Sequence, residues 1–277
     1  MTDNKDQIEF WSGEGGRKWL ASGARIEQSI AQFGAAALKA AAPRAGEHVL
    51  DIGCGTGGTS LALAQAVGPS GKVLGLDVSP RLLEAARQRG AGQANLSFIE
   101  ADAAAHPFEP RFDLLFSRFG VMFFADPLAA FANLRRALKP GGRMAFVCWR
   151  AFKDNDWAFV PFMAALKHLP PIERPPADAP GPFAFADQQR VLGILARAGF
   201  ADAAMTPHDG LLRQGADLDE AMAYVQQIGP ASVLLAGAPP DMVEHAKQAV
   251  RAAMAPYAQP GGVMLPGEAW IVTARNA

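Results

Sequence analysis

The run Val49-Leu50-Asp51-Ile52-Gly53-Cys54-Gly55-Thr56-Gly57 constrains this chain more than any other segment. It reads as a short apolar strand that ends in an acid and opens into alternating glycines. Glycine tolerates positive φ and lets backbone approach a ligand closely, and a helix starting at about Gly58 would turn its unpaired N–H groups toward that ligand. Such a turn holds a nucleotide cofactor. Read as G-x-G-x-x-G through Gly53, Gly55 and Gly58, it also satisfies the dinucleotide fingerprint, with Asp77 at the distance expected of a ribose-binding acid. The glycines alone therefore leave a nicotinamide cofactor open.

Around this turn the chain alternates strand and helix. Short apolar strands are predicted at 48–52, 72–77, 96–100, 112–117 and 143–149, with helices at 58–67, 82–89 and 127–138 between them. Apolar strands separated by helices imply a doubly wound, mostly parallel sheet covered on both faces. Before this core, Trp11, Trp19, Ile26, Ile30 and Phe33 recur near helical spacing up to Pro43, which predicts a helical preface over 1–43 whose aromatics serve either as plain core or as a lid over the cofactor. The core itself is assigned to 44–150.

Beyond Trp149, Pro170-Pro171, Pro175-Pro176 and Pro180-Gly181-Pro182 predict a long surface loop. Residues 151–277 then supply a helix at 187–198, strands at 203–208 and 269–274, and helices at 217–227 and 240–255. The excursion over 209–268 is predicted to be a helical cap set between the last two sheet strands.

Composition excludes several classes. Half of the 277 residues are apolar, so a sizeable core is available. Twenty-six Lys and Arg against twenty-seven Asp and Glu, without a basic run, argue against nucleic acid as a partner. No apolar stretch has the length of a membrane span, and Cys54 and Cys148 have no metal-ligand spacing and suit a reducing compartment. A cytoplasmic enzyme without a metal is the expectation, with self-association left open.

Three further features separate the cofactors. Asp51, two residues before the first glycine, sits where a carboxylate can meet an ammonium that NAD lacks. Asp102 follows the third strand and is placed to accept from an adenine amine. The third is the turn Leu138-Lys139-Pro140-Gly141-Gly142-Arg143, preceded by the strand Phe112-Asp113-Leu114-Leu115-Phe116-Ser117. Gly141 and Gly142 are read as structural. In order and spacing these motifs resemble class I S-adenosylmethionine-dependent methyltransferases, most closely the ubiquinone and menaquinone biosynthesis branch, over about residues 46–150.

The resemblance implies a Rossmann-like, seven-stranded fold and S-adenosylmethionine as methyl donor, with S-adenosylhomocysteine as product. It implies Asp51, Gly53 and Gly55, with Cys54 between the glycines, around the methionine moiety. Asp77 falls on the ribose, Val78 on the adenine face, Asp102 and Ala103 at the adenine, and Ser117 beside the cofactor.

The acceptor is expected to be a small, largely apolar or aromatic molecule methylated on oxygen, nitrogen or carbon. Phe123, within the apolar segment 119–124, together with Trp149 and Trp157, is expected to line its pocket. Arg118 is assigned either to an acceptor carboxylate or phosphate or to a pair with Asp126. If a base is needed, His168 and His208 are the candidates, since His48 and His106 read as structural and His245 as exposed. Two other classes stay open at this point: a nicotinamide-dependent oxidoreductase, and a non-catalytic cofactor-binding module that contacts a partner through Val233-Leu234-Leu235.

Overall fold

The computed structural model describes residues 4–170, 176 and 178–277. Pro171 and Pro175 of the predicted proline-rich loop lie outside them. Three helices, α1 (Lys5–Ser12), α2 (Glu14–Ala21) and α3 (Gly23–Ala41), lead into β1 (His48–Ile52), α4 (Gly58–Val67), β2 (Lys72–Asp77), α5 (Pro80–Arg89), β3 (Leu96–Glu100), β4 (Phe112–Arg118), α6 (Pro127–Ala137) and β5 (Leu138–Trp149). Then come α7 (Asp156–Leu166), α8 (Gln188–Arg197), β6 (Ala201–Gly215), α9 (Leu218–Val225), α10 (Pro230–Ala236), α11 (Pro240–Met254), the short β7 (Ala258–Gln259) and β8 (Gly262–Arg275).

The main sheet runs β3-β2-β1-β4-β5-β8-β6, with β7 attached to β8. The strand pairs among β1 to β5 are parallel, and β8 inserts antiparallel between β5 and β6. This is the mostly parallel α/β sheet that the strand-helix alternation predicts, with the seven main strands that the resemblance implies. Parallel strands need both faces covered, and Val49, Leu50, Leu114, Leu115 and Phe116 are buried accordingly.

Local chemistry fixes the helix starts. Ser79 Oγ accepts from Leu82 N–H ahead of Pro80, and Asp126 Oδ1 accepts from Ala129 N–H at 3.0 Å ahead of Pro127. A hydroxyl or carboxylate at the cap followed by proline in the first turn is a strong helix start.

The late part of the chain departs from expectation. β6 and β8 are far longer than predicted, and their ladder continues from His208↔Ala269 to Gly215↔Val263, past the end of β5 at Trp149. This arm meets α7, α9, α10 and α11 in a second apolar cluster around Met222, Val225, Leu234, Val250, Met254 and Leu265. α7 thus packs with the late helices, a partnership its sequence did not announce. α10 also went unpredicted. Leu234 and Leu235 are buried within it while Val233 is 72% exposed, so the apolar run is largely used in packing.

One clamp fastens the N-terminal helices to the sheet. Arg143 on β5 donates from Nε to Ala41 O at 2.8 Å and from Nη2 to Ala42 O at 2.7 Å, while Nη1 reaches Glu47 Oε1 at 2.7 Å. It satisfies carbonyls at the end of α3 that the helix itself leaves open. Arg143→Leu is expected to lower unfolding free energy by about 2–3 kcal/mol in urea titration, because the Glu47 charge and two carbonyls lose their donors. Arg143→Lys should recover less than half, since one ammonium cannot serve all three acceptors in this geometry.

Candidate functional site

Where the strand order reverses between β1 and β4, their following loops part and leave a crevice at the carboxyl ends. Gly53 (φ +65°) and Gly55 (φ +54°) shape the turn after β1. A Cβ on Gly53 would lie 3.0 Å from Gly120 Cα, so the loops after β1 and β4 touch through two glycines.

Acids hold this turn from two sides. Beneath it, Asp51 is wholly buried, and its Oδ2 accepts from Thr59 Oγ1 at 2.7 Å and Ser60 Oγ at 2.6 Å, both at the start of α4. Beside it, Asp77 accepts from Gly55 N–H at 2.8 Å through Oδ2 and from Ser79 N–H at 2.9 Å through Oδ1. A third carboxylate, Glu27 on α3, accepts from Thr56 Oγ1 at 3.0 Å and pairs with Arg89 at 2.7 Å. Nothing in the motif spacing marked Glu27.

A cavity of about 680 Å³ runs from this turn toward the late helices. Of the predicted cofactor residues, Gly53, Cys54, Gly55, Asp77, Val78, Asp102 and Ala103 line it. Asp51 and Ser117 do not. Ser117 is spent between loops, donating from Oγ to Ile52 O at 2.8 Å and accepting from Gly120 N–H at 3.3 Å. Asp51 lies behind the lining residues, where its Oδ2 fixes the start of α4 and its Oδ1 is buried without a hydrogen-bond partner. The Asp77 carboxylate on the cavity wall already receives two backbone donors. Each oxygen keeps a further lone pair for a ligand hydroxyl.

The acceptor-side residues divide similarly. Arg118, Phe123, Trp149 and Trp157 all line the cavity. The nearest carboxylate to Arg118 is Glu27 at 3.9 Å, and Asp126 is occupied as the α6 cap, so the predicted Arg118–Asp126 pair does not form. His168 is exposed beyond the end of α7, and His208 packs edge-on against Phe33 at 5.5 Å; neither reaches the cavity wall. Their segments border the site, but position in a segment does not say which way an imidazole faces.

The N-terminal helices close the cavity's outer side. Asn4 Nδ2 donates to Asp102 Oδ1 at 3.1 Å while Asn4 Oδ1 accepts from Ala125 N–H at 3.3 Å. Trp11 meets Trp19 and Phe123 edge-to-face, with centroids 5.8 and 5.0 Å apart, and all three line the cavity. The late arm supplies the far end through Leu212, Gln214, Tyr224 and Gln227, none of which carries a sequence signal of function.

Residues 49–142 match the model of a methyltransferase domain. That segment of the chain is a methyltransferase domain. Over 145 residues it is 37% identical to aklanonic acid methyltransferase DauC of Streptomyces sp. (strain C5), covering 49% of this chain and 66% of that protein. Over 100 residues it is 41% identical to demethylmenaquinone methyltransferase of Staphylococcus aureus (strain JH9), covering 36% and 42% respectively. The matches thus span less than two thirds of either relative.

Solved structures share the methyltransferase fold at lower identity. The YcgJ protein of Bacillus subtilis superposes with a TM-score of 0.56 at 18% identity, over 87% of this chain and 97% of that one. Phosphoethanolamine N-methyltransferase 2 of Haemonchus contortus, solved with phosphomonomethylethanolamine and S-adenosylhomocysteine, gives 0.55 at 20% identity, over 88% and 52%.

Burial gives the methyltransferase domain a pH signature. Desolvation drives the Asp51 carboxyl up to about 6, against the partial relief of its two hydroxyl donors. Between the ordinary carboxylate range and pH 6 the folded chain therefore holds a proton that the unfolded chain has lost. Stability should fall as pH rises through that window, by roughly 3 kcal/mol from this group, and level off above it. Denaturant midpoints measured from pH 4 to 8 should show a shallower decline in Asp51→Asn than in the parent; identical slopes would remove Asp51 as the source.

Proposed function

We propose that this chain transfers the methyl group of S-adenosylmethionine to a small, largely apolar or aromatic acceptor and releases S-adenosylhomocysteine. The observation that carries the reading is one cavity that joins the acid-flanked glycine turn to an aromatic chamber. The names of the two curated relatives, which refer to aklanonic acid and demethylmenaquinone, support a small acceptor.

The donor half fits an adenosyl group in its own chemistry. Asp77 has lone pairs left for two ribose hydroxyls, Asp102 beside Ala103 has Oδ2 left as an acceptor for an adenine amine, and Val78 offers an apolar face. Gly53, Cys54 and Gly55 let backbone approach a methionine moiety, and a Cβ at Gly53 would disturb that floor. When bound, S-adenosylmethionine supplies an electrophilic methyl group on a sulfonium.

The chain's own residues then act by alignment and by excluding water. Trp11, Trp19 and Phe123 cover the turn, while Trp149 and Trp157 wall the chamber in which an acceptor is held. No imidazole lines the cavity among the described residues, so no proton transfer is assigned to a histidine.

Incubation with methyl-tritiated S-adenosylmethionine and a panel of phenols, quinols and aryl amines should yield one methylated product per S-adenosylhomocysteine formed. Asp77→Ala should weaken S-adenosylhomocysteine binding in calorimetry by about 30-fold, the loss of about 2 kcal/mol expected when charged hydrogen-bond acceptors are removed. Unchanged affinity in a folded variant would take Asp77 out of the site, and no affinity in the parent chain would sink the proposal.

A further inference from the structure

We infer that the chamber beyond the glycine turn selects an uncharged, planar aromatic acceptor bearing a carbonyl or hydroxyl, with Gln214 and Tyr224 as the side chains that recognise the polar group. The inference rests on the methyl-transfer reading and names the substrate class of the same site.

The shape comes from stacked aromatics. Phe119 and Trp149 lie 4.2 Å apart at 18°, Trp157 sits 5.1 Å from Trp149, and all three face the cavity. Trp157 is oriented rather than loose, because its Nε1–H donates to Asn155 Oδ1 at 2.9 Å and Asn155 is itself wholly buried and bound to Glu268 through both N–H and O. Fixed aromatic walls favour a flat ligand.

The polarity comes from where the charges are. Among the described cavity-lining residues, Asp77 ends β2 and Asp102 follows β3 at the donor end, and Arg118 ends β4 with Glu27 at 3.9 Å. Glu14 and Lys18 pair with each other at 2.6 Å on α2, half exposed at the mouth. Arg25 faces the ring of Tyr224 at 5.7 Å, yet it is paired with Glu220 at 3.6 Å and stays off the cavity wall. The lining from β6, α9 and α10 offers Leu212, Gln214, Tyr224, Gln227, Ile228 and Ser232, every one uncharged.

An ionic acceptor entering that end would lose water without gaining a counter-charge, which disfavours it strongly. A neutral polar group, by contrast, finds partners. Gln214 is 2% exposed, and its one long bond, from Nε2 to Leu212 O at 3.3 Å, leaves most of the amide's capacity unused. Tyr224 is 7% exposed, and burial pushes its phenol up to about 12, so it stays a proton-bearing donor at any working pH. An amide and a phenol together can serve a carbonyl, a hydroxyl, or both side by side.

The test uses three probes on the full chain, read by quenching of tryptophan fluorescence with and without saturating S-adenosylhomocysteine. They are 1-hydroxy-2-acetonaphthone, 1-hydroxy-2-naphthoate, and 2-methylnaphthalene. The ketone should bind about tenfold or more tighter than both the carboxylate and the hydrocarbon, the worth of one well-made hydrogen-bond set. Gln214→Leu should weaken the ketone by about tenfold and the isosteric Tyr224→Phe by about fivefold, with S-adenosylhomocysteine affinity changed less than about twofold in each. A carboxylate that binds as tightly as the ketone, or ketone affinity unmoved in both variants, overturns the inference. Failure of S-adenosylhomocysteine to bind would instead overturn the donor reading, since quenching without it still decides the chamber's preference.

Discussion

The contact between Gly53 and Gly120 sets the geometry on which the rest of the site depends. β1 and β4 are neighbours in the sheet, but the chain leaves them in opposite directions, toward β2 on one side and β5 on the other. Their loops can part just above the strands only if the backbones touch there, and a Cβ on either glycine would meet backbone at about 3 Å or less. Ser117 completes the joint by bridging Ile52 O and Gly120 N–H. Phe119, forced to φ +60° as the chain turns away, stores strain of about 1–3 kcal/mol that its stacking on Trp149 helps offset. The floor of the cavity and one wall of its chamber therefore follow from a single close approach.

Electrostatic cost is distributed around that joint. Desolvation raises Asp51 and Asp77 alike, and each is partly relieved by hydroxyl or backbone N–H donors rather than by a cation in contact. The nearest cation to Asp51 in effect is Arg118, which is itself desolvated and shared with Glu27. A region of negative potential beside a turn of open backbone suits a cationic sulfonium ligand better than a second anion.

How far the sequence carried this picture varies with the kind of signal. The strands from His48 to Trp149 were readable because parallel strands buried on both faces are continuous apolar runs, and the glycine turn was readable because its φ values admit little else. The lengths of β6 and β8 were not, since Asp209-Gly210-Leu211-Leu212-Arg213-Gln214 alternates only loosely and its partner strand lies some fifty residues away. The motif gave Asp51 its position along the chain, whereas its burial and the pairing of Oδ2 with Thr59 and Ser60 came only from the structure. His168 and His208 were chosen for titration range, a chemical criterion that carries no direction. Gln214, Tyr224 and Glu27 went unseen for the converse reason: each matters through what it faces.

One helix joins the two halves. α3 gives Glu27 to Thr56 and Arg89 at the donor turn, while its first residues reach the late arm, Arg25 to Glu220 O at 3.4 Å and, just before the helix, Ser22 to Gln227 at 3.2 Å. Its centre carries Phe33, which is wholly buried against Phe119 and Trp149. Ser22, Arg25 and Glu27 stand together at the start of this helix, so both halves of the site are held from one end of α3, and Arg143 clamps the other. The donor turn and the wall made by Gln227 and Tyr224 therefore share one support, because neighbouring side chains at the start of α3 reach Thr56 on one side and Gln227, Glu220 and the Tyr224 ring on the other.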